Sequence, residues 1–309
     1  LVLKWLDMYN RVFTPKDLRV IAGQSLILEV SSFKPGNISP YNDYNGLYAK
    51  YIESSISFGE ALEHVLSDNM GLGDGADYIS STLARSMAQE GRNHHLGQIL
   101  VLLPLAMVAN GLEEQGPSLP VLLHELLDKA GYKDTLGVWR AINTAKPKSL
   151  VDVPRLDARS EESYAVIESD RIPLKEWMAV GKEKNLICRE YVTDFSITLD
   201  ELSPLFNRQL RETNSILRAI ESTSLYIMSK YHDTHIIGTH GFERAEEIRE
   251  LAARKVKENG YPLGKEHIMS LHKDLISDGA NPGTTADLVA GCVFHHVLSK
   301  RAEEAHEAR

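Results

Sequence analysis

The chain has almost no cysteine. Of its 309 residues only Cys188 and Cys292 are thiols, and no Cys-x-x-Cys pair occurs. That excludes a disulfide framework and a cysteine-rich zinc site, and leaves two buried thiols in a reducing, cytoplasmic setting. Positive charge is also short, with a formal net charge of −9. A general nucleic-acid binder needs a basic face for phosphates, so that class is set aside, while a local basic pocket remains allowed. Long hydrophobic runs are missing. The most apolar stretch, Ile99 to Ala109, falls well short of the ~20 residues needed to cross a bilayer. It reads as a buried core helix, and no membrane partner is expected. The opening LVLKWLDMYN lacks the separate basic, apolar and cleavage regions of a signal peptide. It also lacks an initiator Met, so the native chain is expected to begin earlier. No strand-like alternation is sustained and no period repeats. What is present, 43% apolar and 25% charged residues, is ordinary for a globular protein.

The remaining pattern is helical. Thr14-Pro15-Lys16-Asp17 reads as an N-cap, an N1 proline and an acidic first turn. The spacing predicts helices through residues 15–32, 46–66, 78–89, 94–112, 119–130, 136–144, 173–186, 242–257, 266–277 and 285–304. Thr198-Leu199-Asp200-Glu201 has the form of a capping box that opens a long helix towards Leu217. The glycine-rich Gly71-Leu72-Gly73-Asp74-Gly75 lacks the Gly-Lys-Ser/Thr of a P-loop and reads as a connector. The polar stretch Lys146 to Ile172 reads as a linker or surface excursion. The expected fold class is all-α, one compact multi-helix domain over residues 1–309 with its site at the helix-junction loops.

Four junctions carry chemistry. The first is Glu29-Val30-Ser31-Ser32-Phe33-Lys34-Pro35-Gly36-Asn37, followed by Asp43. A lysine beside Pro-Gly suits phosphate, though a helix-ending turn with an exposed lysine has the same form. The second is Gly91-Arg92-Asn93-His94-His95-Leu96-Gly97, where Asn93 can cap a helix. Gly97 lies inside that helix at a cost of about 1 kcal/mol relative to alanine, which a close approach of backbone or ligand would explain. The third, His232-Asp233-Thr234-His235-Ile236-Ile237-Gly238-Thr239-His240, holds three histidines at spacings that fit no familiar zinc signature. It reads either as a ligand site or as a polar junction. The fourth is Asn281-Pro282-Gly283-Thr284-Thr285-Ala286-Asp287-Leu288, a helix start whose backbone N–H groups suit an anion, with Asp287 as cap or ligand. Glu190 and Asp194, at i and i+4, share a helical face and can either hold a cation or be a solvated acidic pair.

In order, these junctions resemble the triphosphoribosyl-dephospho-CoA synthase family, from about Gly23 to Leu298. The carrying elements are Glu29-Val30-Ser31 with Lys34-Pro35-Gly36, then Asn93, His95 and Gly97, then Asp233-Thr234, then Pro282-Gly283 with Thr285-Ala286-Asp287-Leu288. Phe33 to Asn37, Leu96-Gly97, Arg189-Glu190-Tyr191 and Asn281 to Thr285 are worded as in the family's archaeal-type branch. The resemblance implies transfer of a triphosphoribosyl group from ATP, with loss of adenine, to a hydroxyl of dephospho-CoA or a similar cofactor precursor. It implies Mg²⁺ on Asp233, Asp287 and Asp43, and phosphate or substrate binding by Lys34, Gly36, Asn93, Thr234, Gly283 and Thr285. His95 or Glu29 is the implied acid–base residue. The chain departs from the family where a basic residue often follows the Asp-Thr pair, reading Ile237-Gly238-Thr239-His240 instead. His94 stands where Thr is common, and Asn185 where the archaeal branch often has Asp. Three rivals stay open: a phosphoribosyl transferase for another precursor such as a pterin, a non-catalytic nucleotide binder, and a metal-dependent hydrolase built on the histidine cluster. The donor (ATP or phosphoribosyl pyrophosphate) and the oligomeric state are left open too.

Overall fold

The computed structural model describes residues 12–43, 46–86, 95–113, 115–147, 149–261 and 264–307. Among the described residues there are helices and no strands; a lone bridge pairs Ser39 with Asn42. The helices are α1 (Pro15–Ser31), α2 (Leu47–Ser67), α3 (Leu72–Ser86), α4 (Leu96–Asn110), α5 (Leu119–Lys129), α6 (Tyr132–Ala145), α7 (Glu161–Asp170), α8 (Leu174–Gly181) and α9 (Leu186–Val192). A π-helical turn (Ile197–Leu202) runs into α10 (Ser203–Thr213), followed by α11 (Ile216–Lys230), α12 (Thr234–His240), α13 (Phe242–Asn259), α14 (Lys265–Ile276) and α15 (Gly283–Glu307). The all-α expectation holds. No described helix is long and apolar enough to cross a membrane.

The run from Ile99 to Ala109 forms the centre. It is apolar all round because α4 is covered on every side, by α15, α3, α5 and α1. Along α15 the approach is close: a Cβ at Gly291 would sit 2.7 Å from a Val101 methyl carbon. The main hydrophobic cluster spans α1 to α11 and α15, and a second one joins Leu225, Met228, Ile248, Leu271 and Leu275 beneath α11 to α14. The start of α1 follows the sequence reading. Thr14 accepts from the Asp17 N–H, the Asp17 carboxylate accepts from the Thr14 N–H, and Pro15 occupies the first turn.

Several boundaries differ from the sequence expectation, each for a tertiary reason. Gly71 to Gly75 is not a connector. Gly73 and Gly75 lie in the first turn of α3 because α3 and α6 nearly touch: a Cβ at Gly73 would come within 2.5 Å of the Asp134 Cα, and one at Gly137 within 2.3 Å of the Gly73 carbonyl carbon. Nor is Thr198 a cap. The start of the π turn is capped from outside by the buried Glu190, whose carboxylate accepts from the Ile197 and Thr198 N–H groups (3.1 and 2.8 Å) and from the Thr198 hydroxyl. Burial pushes the Glu190 carboxyl up to about 7, and these three donors oppose that rise. Asp194 points elsewhere, to His124 and Lys175, so the two acids do not share a cation. The long helix breaks at Asn214, which is left-handed, and Ser215 caps the separate helix α11. The expected 173–186 helix splits where Asn185 caps α9. Residues 146–172 contain α7, and their first residues form a wall of the cavity described next.

Candidate active site

Four helix junctions meet around a cavity of about 490 Å³. Its polar end is lined by Glu29 from the end of α1, Gly97 and Gln98 from α4, Thr234 and His235 from α12, and Gly283, Thr284 and Asp287 from the start of α15. Its apolar side is formed by Leu100, Ile142, Leu150, Met178 and Ile187, with Cys188 alongside. Burial pushes the Cys188 thiol up to about 12, so it stays protonated and inert.

Asp287 sets the chemistry of the polar end. Its carboxylate lies where a Cβ of residue 97 would be, with Oδ2 only 1.9 Å from that position. Gly97 therefore admits the carboxylate, and any larger residue would expel it. Asp287 caps no helix among the described residues. It sits in the second turn of α15, and no hydrogen-bond donor or cation among the described residues reaches it. Burial lifts its carboxyl well above the ordinary carboxylate value, and the carboxylates of Asp233 and Glu29 add to the lift.

Asp233 does the capping. Its Oδ1 accepts from the His235 and Ile236 N–H groups (2.9 and 3.2 Å) at the start of α12. Its Oδ2 accepts from the Thr285 N–H (2.7 Å) and hydroxyl (2.8 Å) in the first turn of α15. One carboxylate thus joins two helix N-termini. Burial raises the Asp233 carboxyl; His235 and the hydrogen bonds from Thr285 and Ile236 hold it back.

Behind the cavity runs a buried polar chain. The Lys34 ammonium lies 2.9 Å from Glu29 Oε1 and donates to the Glu29 and Ser32 carbonyls (2.6 and 3.2 Å). Gln98 donates to Glu29 Oε2 (3.3 Å), and its carbonyl meets His95 Nδ1. His95 Nε2 meets the Ser54 hydroxyl, and the imidazole packs edge-on against Tyr51. If Gln98 donates to Glu29, its carbonyl must accept from His95, which places a proton on Nδ1. Burial raises the Glu29 carboxyl, against the opposing pull of Lys34.

A family model for CitG, the ATP:dephospho-CoA triphosphoribosyl transferase, matches residues 15–306. The chain belongs to this family. Relatives in Salmonella gallinarum and Salmonella typhimurium, provisionally named 2-(5''-triphosphoribosyl)-3'-dephosphocoenzyme-A synthases, are each 28% identical over 103 residues, 33% of this chain and 34% of theirs. The match thus spans about a third of these curated relatives. A crystal structure from Archaeoglobus fulgidus, provisionally named a triphosphoribosyl-dephospho-CoA synthase, superposes with a TM-score of 0.62 at 26% identity, covering 80% of this chain and 96% of that one.

Within this transferase family fold, the residues singled out from the sequence divide into three groups. Glu29, Gly36, Thr234, Gly283 and Asp287 line the cavity. Lys34, His95 and Thr285 are buried just behind it and are committed to protein partners. Lys34 is only 1% exposed, so it acts on Glu29 and offers no free ammonium. Gly36 donates its N–H to His272 Nδ1 (3.1 Å), and its own φ of +75° suits only the tight seat against Ala280 and Leu275. Asp43 is exposed, accepts from the Tyr48 N–H and does not line the cavity, so the structure does not bring it to Asp287. Asn93 lies outside the described residues. The histidine cluster disperses: His232 pairs with Glu246, His240 donates to the Asp278 carbonyl, and His235 alone lines the cavity.

Sequence reasoning missed Gln98 and Lys146, which also line the cavity, and noted His235 only as one of a histidine cluster. Gln98 left a signal, as the one polar side chain in the otherwise apolar run that opens at Leu96. Lys146 left none, because a lysine in a charged loop is ordinarily solvated surface.

Proposed function

We propose that this chain transfers a triphosphoribosyl group from ATP to a hydroxyl of dephospho-CoA or a closely similar cofactor precursor, releasing adenine. The observation that carries this reading is the seating of the Asp287 carboxylate on Gly97, beside Glu29 and the Gly283 backbone, inside a cavity large enough for a nucleotide. Family membership supports the substrate class. ATP is a cytosolic donor, so we expect a cytoplasmic role in cofactor biosynthesis.

The polar end fits a divalent cation. Asp287 is a largely buried carboxylate with no donor on it among the described residues and two acidic neighbours, an arrangement that costs several kcal/mol per ion unless a cation neutralises it. Mg²⁺ is usually held by one or two carboxylates together with substrate phosphates, and Asp287 supplies such a ligand. All four lone-pair directions of Asp233 are taken by N–H and O–H donors, so its part is to seat α15. When bound, Mg²⁺ would offset the charge of the donor phosphates.

The chain's own residues do the rest. Transfer forms a bond from the acceptor oxygen to the ribose C1′ and breaks the C1′–N9 bond. The electron pair leaves with adenine, which gains a proton, while the acceptor hydroxyl loses one. We assign the acceptor's proton to Glu29. It lines the cavity, and burial raises its carboxyl, which makes it a stronger base than an exposed carboxylate. Lys34 and Gln98 hold the two Glu29 oxygens, and His95 orients Gln98. The ribose passes through an oxocarbenium-like state, which nearby carboxylates favour.

The test is direct. Incubation with Mg²⁺, ATP and dephospho-CoA is expected to release adenine and yield a product heavier by a triphosphoribosyl group, read by mass spectrometry. Absence of both would overturn the proposal. Adenine release with a different acceptor would keep the transfer and change the partner.

A further inference from the structure

We propose that Lys146 is the residue that grips a phosphoanhydride of the substrate at the cavity wall; the proposal rests on the nucleotide-transfer reading of the same cavity. The chain must meet the charge of a polyphosphate with something besides a cation at Asp287. The two features that seemed made for it in the sequence are both spent. Lys34 is buried against Glu29, and the Gly36 N–H is bonded to His272. Among the described lining residues, Lys146 is the sole lysine or arginine, and His235 the sole histidine. Arg92 and Lys148 lie outside the described residues. The Lys146 side chain is exposed, and among the described residues none hydrogen-bonds or pairs with it, so it is available to an anion.

Its backbone is nevertheless well fixed. Lys146 closes α6 in a left-handed conformation (φ 48°, ψ 56°), with its N–H donating to the Ile142 carbonyl. Pro147 follows, its own φ fixed by the ring. Beyond it, the segment is seated on α12, since a Cβ at Gly238 would lie 2.2 Å from the Ser149 carbonyl oxygen. Left-handed geometry at a helix end is the usual place for glycine, and a lysine holds it only at some strain. The cavity therefore has an acidic pole at Asp287 and Glu29 and a cationic wall at Lys146. An extended ligand with phosphates can span the two.

Titration calorimetry with Mg²⁺ tests this, using ATP, dephospho-CoA and adenosine as separate probes. Lys146→Ala is the first variant. Lys146→Gly is the second, because glycine keeps the left-handed backbone while removing the ammonium. Both are expected to lose about 10- to 100-fold in affinity for at least one phosphorylated ligand, the range of a lost charge-assisted contact, with adenosine affinity unchanged. Loss for ATP alone assigns the donor triphosphate, and loss for dephospho-CoA alone assigns the acceptor diphosphate. Wild-type affinity for both in either variant overturns the proposal while leaving the transfer reading intact. A wild-type protein that binds neither ligand overturns the transfer reading, and this proposal with it.

Discussion

At the scale of single residues, the site is defined by what each polar atom already has. Lys34, His95 and Thr285 are committed to protein partners, whereas no donor among the described residues reaches Asp287. That difference has a sign that can be measured. Burial and two acidic neighbours raise the Asp287 carboxyl in the folded protein, so the folded state binds its proton more tightly than the unfolded chain. The stability this contributes is complete at low pH and is lost as pH rises from the ordinary carboxylate range through the raised value. Asp287→Asn removes the ionisation. Without ligand, the variant is expected to melt at or above wild type, with a margin that widens as pH rises. With Mg²⁺ and ATP the order should reverse, because only the carboxylate can hold the cation. Melting curves between pH 4 and pH 8 check both halves, and a variant that keeps the full ligand-induced shift would remove Asp287 from the site. The sequence made Asp287 visible, since a carboxylate after Pro-Gly-x-Thr is conspicuous. It could not tell a cap from a ligand, because that depends on Gly97 lying opposite and on Asp233 doing the capping instead.

At the scale of helices, most elements were legible and several ends were not. Periodicity and caps marked α1, α2, α4, α5, α13, α14 and α15. The failures fall where a neighbour overrides the local signal: Gly73 inside α3 because α6 nearly touches it, and the π turn capped by Glu190 from the preceding helix. Asp233 is the sharpest case of an element held from outside, since one side chain fixes the starts of both α12 and α15. Asp233→Asn keeps a single carbonyl oxygen and turns an amide towards the other helix's donors. An unsatisfied buried donor costs about 1–3 kcal/mol, so the variant is expected to lose that much in urea unfolding. It should also lose nucleotide binding, because Gly283 and Asp287 ride on the same turn. Unchanged stability would refute the double-cap account.

At the scale of the whole molecule, the fold is a shell of helices around α4, with the cavity at one set of their junctions. Nothing in a linear reading shows that residues 146–150 wall this cavity, because the seat that holds them, Gly238 against Ser149, is purely tertiary. Ligand binding should act on the molecule as one unit. At a hundred times its dissociation constant, a ligand adds about 2.7 kcal/mol to stability. Mg²⁺ with ATP is therefore expected to raise the melting temperature by several degrees, and a chelator should cut most of that shift while leaving any adenosine effect in place. A shift indifferent to chelation would argue against the cation. The contact between Gly97 and Asp287 also makes the polar end a joint property of two stretches of chain far apart in sequence. A fragment that stops before α15 keeps the glycine seat on α4 but not the carboxylate that fills it. Cation and nucleotide can therefore reward only a chain in which α4 and α15 are both in place.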